Sequence, residues 1–336
     1  MLKRMAAANR NLPTCSVVVA TYRRPESLAQ CLEALAHLDY PREHLEIIVV
    51  DDGGGIPLDP WIDSVRERLR VQTIEIEHAG QAHARNVGAS RAMGELLAFT
   101  DDDCRPEPSW LRLLAEQYLE NPGDGLGGHT INALERDWYA EASQFVLDIG
   151  YRKLNLDPNG ARFFTTNNLV VPRQAFHDLG GLDTTFSTSE DREFCARWIS
   201  SGRRLRYVQN AIIRHFHKHT FASFWRQHFA YGRGAFQYHA ALASRSGHRS
   251  RIEPTFHLNL AFVEPWRSGP SRALRLAPLL QVWNVANTAG FVFEWAVSRN
   301  GTRATAFGKS HSARPTEGAT AQGTPAFRRR GRNAGC

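Results

Sequence analysis

One stretch constrains this chain more than any other: residues 95–103, running Glu95, Leu96, Leu97, Ala98, Phe99, Thr100, Asp101, Asp102, Asp103. It begins as an apolar strand and ends abruptly in three carboxylates. A buried strand that delivers acids at its C-terminal end is where an open α/β sheet builds its ligand crevice. Three adjacent carboxylates repel one another unless something positive shares the space. A divalent cation holding a diphosphate meets that need, and hard cations of this type take oxygen ligands. A solvated acidic turn competes for the same three residues, and the flanking chain weighs on the choice.

Residues 16–20 are a short, continuous, β-branched run that predicts a buried strand. A loop at 21–24 leads to a helix over 25–38, with Leu28, Cys31, Leu32, Leu35 and Leu38 at helical spacing and Pro25 near its start. A second buried strand at 46–50 ends in Asp51 and Asp52 followed by three glycines. A helix over 61–69 and a third strand at 71–76 follow. The helix expected over 80–93 carries Ala82, Ala84, Ala89 and Ala92, which keep it slim against a sheet. After the organising strand, residues 108–119 form another helix. Strand-then-helix units in this succession predict an α/β fold with a Rossmann-like, mostly parallel sheet flanked by helices. Right-handed crossovers then bring the strand ends Thr21, Asp51 and Asp101 to one edge.

The second half is mixed. Residues 163–171 read as a strand with a polar centre, Gly180 and Gly181 as a turn, and Ser189 as the N-cap of a helix over 190–200. An extended run at 205–216 ends among His215, His217 and His219, and 221–238 is an aromatic-rich helix. Residues 275–297 are the most apolar stretch, but Gln281, Asn284, Asn287 and Glu294 stripe one helical face. That pattern predicts an amphipathic helix in a membrane interface or packed on the body, rather than a span. Arg267, Arg272 and Arg275 would suit anionic headgroups. From residue 301 the composition is that of a disordered tail.

Charge excludes one function class. The formal charge is +7, and residues 299–336 hold eight Lys/Arg against the single acid Glu317, so the rest of the chain is formally neutral. A specific nucleic-acid partner is not expected. The five cysteines are scattered and form no CxxC, which argues against a zinc site or a disulfide framework and for a reducing, cytoplasmic setting. Residues 1–13 hold no apolar run of signal-peptide length.

Taken together, residues 16–25, 49–53 and 80–90 resemble the nucleotide-sugar half of an inverting GT-A glycosyltransferase of the large bacterial family 2. Residues 99–103 stand where that family has its metal-binding DXD, and 180–183 with 189–194 resemble its acceptor-side block. The resemblance covers residues 15–238, and the order of five motifs makes it specific. It implies a 14–245 catalytic domain, with a nucleotide-sugar half at 14–125 and an acceptor half at 126–245. Around that domain lie an arm at 1–13, a helical and membrane-interface or body-packed segment at 246–300, and a basic tail at 301–336.

The resemblance further implies that Thr21, Asp51, Asp52, Arg85, Asp101 and Asp102 serve the donor, a UDP-sugar in the family's usual case. It assigns Asp103 to a Mn2+ or Mg2+ ion, with His215 as the matching histidine ligand. Spacing alone leaves His217 and His219 open as alternatives. Asp191 is the implied base that takes the proton of an acceptor hydroxyl, with Glu190 beside it; an acid pair that only favours a helix start is the competing account. The acceptor would be a glycan or lipid-linked sugar, and a peripheral seat on the inner face of the cell membrane follows from it. The QxxRW motif of processive members is absent, which favours addition of one sugar. A sugar-nucleotide nucleotidyltransferase is the alternative enzyme, but it calls for a glycine-rich loop after the first strand, and residues 21–25 hold no glycine. A non-catalytic nucleotide-sugar-binding protein is the other alternative.

Overall fold

The computed structural model describes residues 12–246, 254–267 and 269–310. The expected arm, apart from residues 12 and 13, lies outside them, as does the expected tail beyond residue 310; residues 301–310, expected to be disordered, instead continue the last helix. The first half alternates as predicted: β1 (Cys15–Thr21), α1 (Pro25–Ala36), β2 (Leu45–Asp51), a short α2 (Asp59–Asp63), β3 (Val71–Glu75), α3 (Gln81–Arg91), β4 (Leu96–Asp101), β5 (Cys104–Pro106) and α4 (Trp110–Glu120). Then come β6 (Gly125–Asn132), α5 (Trp138–Leu154), β7 (Leu169–Pro172), α6 (Arg173–Asp178), α7 (Glu190–Ser200), β8 (Leu205–His215), α8 (Phe221–Ser246), α9 (Pro254–Phe262), α10 (Glu264–Arg267) and α11 (Pro270–Ser310).

All eight strands join one sheet in the order β3-β2-β1-β4-β7-β6-β8-β5. The β3-β2-β1-β4 half is parallel, as the strand-then-helix alternation predicts. Beyond it β7 runs antiparallel to both β4 and β6, β8 is parallel to β6, and β5 is antiparallel to β8. Strands with both faces covered read as continuous apolar runs. Val17 and Val19 point into a core with Leu28, Leu32 and Trp110. Val18, one residue between them, joins Ile48, Phe99, Ala84 and Phe176 on the opposite face. Burying each such side chain contributes roughly 1.5–3 kcal/mol. Gly88 lets α3 lie close on the sheet, since a Cβ there would stand 2.4 Å from Val18 Cγ1.

Three expectations change. The strand foreseen at 163–171 is confined to Leu169–Pro172, because Thr166–Asn168 form a 3-10 turn. Its polar centre is spent inside the fold: Trp110 Nε1 donates to Asn168 Oδ1 at 2.8 Å and Thr130 Oγ1 to Asn167 Oδ1 at 3.2 Å. The helix foreseen at 61–69 is only Asp59–Asp63. Ser189 precedes α7 but does not cap it with its side chain; it sits in the left-handed region at φ 71°.

The apolar stripe of α11 packs on the body. Leu276, Leu280 and Trp283 join Phe145, Phe224 and Leu260 in a third core. Gly232 of α8 and Gly290 of α11 allow the two helices to touch, for a Cβ at either would meet the other helix's backbone oxygen at 1.9 Å. Arg233 closes this contact on Glu294 at 2.7 Å. The described residues from Trp295 onward form a second unit, in which Arg299 lies over the Trp295 ring. Among the described residues no helix is long and apolar enough to cross a membrane.

Candidate active site

Register brings the predicted strand ends together. Thr21 lies opposite Asp51 across β1 and β2, and Ala20 opposite Asp101 across β1 and β4. The three acids that follow then have three different fates. Asp101 is partly exposed and pairs with Arg85 at 2.5 Å. Asp102 turns under the sheet edge, where Thr21 Oγ1 donates to it at 2.7 Å and Arg24 approaches its other oxygen at 2.7 Å. Burial pushes the Asp102 carboxyl up to about 7 despite Arg24. Asp103 faces His215, with Nε2 at 3.2 Å from Oδ1, and Arg24 at 2.8 Å from Oδ2. Burial alone would raise Asp103, but His215 and Arg24 hold it well below the usual carboxylate range.

Asp51 and Asp52 divide in a similar way. Asp51 Oδ1 accepts from the Gly54 amide at 2.8 Å, which shapes the glycine loop at the crevice edge. Asp52 turns inward, and its two oxygens accept from the Ala79 and Gly80 amides at 2.8 and 3.0 Å. Asp52 and Asp102 therefore build the walls of the crevice, their oxygens engaged by groups of the chain itself. Tyr22 stacks on His78 at 4.4 Å between ring centroids and forms part of the same rim.

His215 is singled out by pairing. β5 runs antiparallel to β8 with Cys104 opposite His215, and the Phe216 amide donates to the Asp103 carbonyl at 2.9 Å. His217 and His219 lie past the strand end; their rings stack at 4.1 Å, and His217 meets His215 at 5.1 Å. Ligand atoms of Asp103, Cys104 and His215 all lie within 4.8 Å of one another. A carboxylate oxygen and an imidazole nitrogen suit Mn2+ or Mg2+. Cys104 is fully buried and burial keeps its thiol protonated, so the oxygen and nitrogen are the donors that fit.

Two further acids, at the start of α7, converge on the same crevice. Glu190 is buried, and Arg85 Nη1 donates to its Oε1 at 3.0 Å. Arg85 is itself 2% exposed and so joins Asp101 of the sheet to Glu190 of the second half. Asp191 is half-buried, with Oδ1 accepting from the Arg192 amide at 2.7 Å. Burial and the neighbouring Asp191 push Glu190 up to about 7 against the pull of Arg85, and burial raises Asp191 as well.

Arg24 is the functional-site residue that sequence reasoning missed. It looked like one of two cations in a loop after β1, and nothing local assigns it to acids 78 and 79 positions later. The only sequence signal was its place at a strand end beside Thr21.

Comparisons with known proteins agree with this architecture. Residues 16–180 match the family model described as Glycosyl transferase family 2. The chain is 30% identical over 179 residues to a pre-mycofactocin glycosyltransferase of Mycobacterium tuberculosis, covering 52% of this chain and 38% of that relative's length. It is 28% identical to a glucosyl-dolichyl phosphate glucuronosyltransferase of Haloferax volcanii over 63% of this chain and 74% of that one. A mannosyltransferase of Pyrobaculum calidifontis, solved with GDP-Man and Mn2+, has the same fold, with a TM-score of 0.60, 19% identity, and coverage of 88% of this chain and 94% of that one.

Proposed function

The chain carries a glycosyltransferase family 2 domain, and from that premise we propose that it is a metal-dependent, inverting glycosyltransferase. It moves one sugar from a nucleotide-sugar donor, in the first instance a UDP-sugar, to an acceptor hydroxyl on a glycan or lipid-linked sugar. The observation that carries this reading is the meeting, at one sheet edge, of two unlike acid sites: Asp103 with His215, and Glu190 with Asp191, joined through Asp101 and Arg85.

Each residue then has a task. Asp103 and His215 would hold the cation, which when bound stabilises negative charge on a departing diphosphate. Asp51, Asp101 and Thr21 border the space for the nucleoside, on a rim that Tyr22 and His78 extend. Arg24 keeps the buried Asp102 and Asp103 from repelling each other. Asp191 is the base: it stands at the start of α7 beside Glu190, and burial raises its carboxyl, which favours a group that takes a proton. Glu190, anchored by Arg85, orients the acceptor beside it. The Haloferax relative is named for a dolichyl phosphate-linked sugar, which supports a lipid-linked acceptor and a peripheral membrane setting.

Thermal unfolding with and without Mn2+ tests the donor half of this reading. A bound donor stabilises the native state as its concentration exceeds its dissociation constant. Stabilisation by UDP-sugars that needs Mn2+ and vanishes in EDTA is the expected result. Stabilisation by GDP-Man but by no UDP-sugar, the nucleotide seen in the Pyrobaculum neighbour, would change the donor assignment. No stabilisation by any sugar nucleotide would remove the reading.

A further inference from the structure

Beside the His cluster lies a groove of about 1050 Å3 that the donor and acid sites do not use. One wall is the loop after β6 and the first turn of α5; the other is the loop between β8 and α8; Leu279 of α11 closes one side. A single carboxylate holds the two walls together. Asp137 Oδ1 accepts from the Tyr139 and Ala140 amides, both at 3.0 Å, and Oδ2 from the His219 amide at 3.2 Å.

The lining is divided chemically. Leu134, Trp138, Tyr139 and Leu279 make an apolar surface, on which Trp138 is 55% exposed at the start of a helix whose next turn is buried. Packing does not account for an indole left in that position. Arg136 and Lys218 line the same groove, both exposed, and neither has a partner among the described residues. Glu135 is the one acid there whose charge is not already directed at backbone amides. Two cations beside an apolar, aromatic wall fit a molecule with an anionic head and an apolar tail.

The position of the groove relates it to the transfer site. His219 lines it, and the ring series His219, His217, His215 leads to Asp103. Along α8, Ser223 lines the groove, while Ala230 accepts from Thr188 just ahead of the acid pair. Seven residues of helix separate them, a rise of about 10 Å.

We propose that this groove is the anchor site of the acceptor, and that the acceptor is a sugar carried on a phosphate-linked apolar chain. The phosphate lies against Arg136 and Lys218, the chain along Trp138, Tyr139 and Leu279, and the sugar bridges the remaining distance to Asp191. The inference rests on the glycosyltransferase reading; it narrows the acceptor to the phosphate-linked apolar class and places its anchor.

Binding to the full chain tests it, with dodecyl phosphate below its micellar concentration as probe and with inorganic phosphate and dodecyl maltoside as the head-only and tail-only arms. Dodecyl phosphate is expected to bind tighter than either arm. The double variant Arg136→Ala/Lys218→Ala is expected to weaken it by roughly tenfold or more, and Trp138→Ala by a similar factor, while Mn2+-dependent sugar-nucleotide binding stays unchanged in both. Equal binding by the double variant and the wild type, binding of dodecyl maltoside as tight as that of dodecyl phosphate, or no dodecyl phosphate binding at all would each overturn the proposal. If the wild type also fails to bind any sugar nucleotide, the glycosyltransferase reading fails with it; if nucleotide binding persists, only the anchor site is lost.

Discussion

The crevice brings together two buried carboxylates, Asp103 at the end of β4 and Glu190 at the start of α7, whose protons behave in opposite ways. At the end of β4, Asp103 is held ionised, because His215 and Arg24 both bear on it. At the start of α7, Glu190 and Asp191 share a single cation, Arg85, which is also committed to Asp101. Burial and mutual repulsion win there, and Glu190 rises to about 7. A carboxylate held charged suits a metal; one held near neutrality suits proton transfer. The difference lies in the positive groups around each: His215 and Arg24 both bear on Asp103, while Glu190 has only Arg85, which it shares with Asp101.

The largest test of that contrast is Asp103→Asn. It removes the charged ligand but keeps the shape, so Mn2+-dependent donor binding should be lost and transfer should fall by on the order of 10³-fold. Calorimetric titration of Mn2+ with nucleotide, alongside a transfer assay, measures both. Donor binding at wild-type strength would end the assignment of Asp103.

Asp191→Asn comes next. Transfer in a single turnover should fall by about 10²-fold or more, the usual scale for losing a general base, with donor affinity intact. Near-normal transfer would leave Asp191 as a helix-start acid and move the role of base to Glu190.

The pH profile sharpens the comparison further. Asp191 works as a base only when deprotonated, and burial raises its carboxyl, so transfer should rise with pH above the usual carboxylate range and level off once the pair is ionised, with Glu190 beside it titrating at about 7. Arg85→Met removes a positive charge from the pair. Protonated forms then gain, and the rising limb should move to higher pH. A limb that stays in place in this variant would show that Arg85 does not set the proton affinity of the acids.

The smallest effect concerns the entry into α7. Ser189 holds φ 71° without a side-chain cap bond. Ser189→Gly should therefore stabilise the fold by roughly 0.5–1 kcal/mol, since glycine takes that conformation without strain. A melting temperature that falls instead would mean that the hydroxyl contributes something the cap geometry does not reveal.

Much of this was legible in the chain itself, for a local reason. β1, β2 and β4 are buried on both faces, so they must be written as unbroken apolar runs, and their abrupt acidic ends mark the crevice directly. The helices that cover them carry their apolar residues at helical spacing. The family likeness then orders these local signals. α5 escaped notice because its buried face mixes Ala140 and Ala142 with Phe145, Ile149 and Tyr151, a weak stripe of which Ala142, Phe145 and Ile149 enter the third core and Tyr151 the second.

What the sequence by itself determined was therefore the strand-and-helix alternation, the edge where the site lies, and the acids that reach it. Tertiary structure decided which of those acids face the crevice. Asp52 and Asp102 look like their neighbours in sequence, yet both are turned into the walls by partners elsewhere in the chain: the Ala79 and Gly80 amides for one, Thr21 and Arg24 for the other. It also set His215, of three histidines at equal spacing, beside Asp103 through the antiparallel pairing of β5 with β8. And it set Arg24 against Asp102 and Asp103, and Arg85 between Asp101 and Glu190. Coulomb energy and desolvation depend on distance through space and on burial, and neither can be read from separation along the chain.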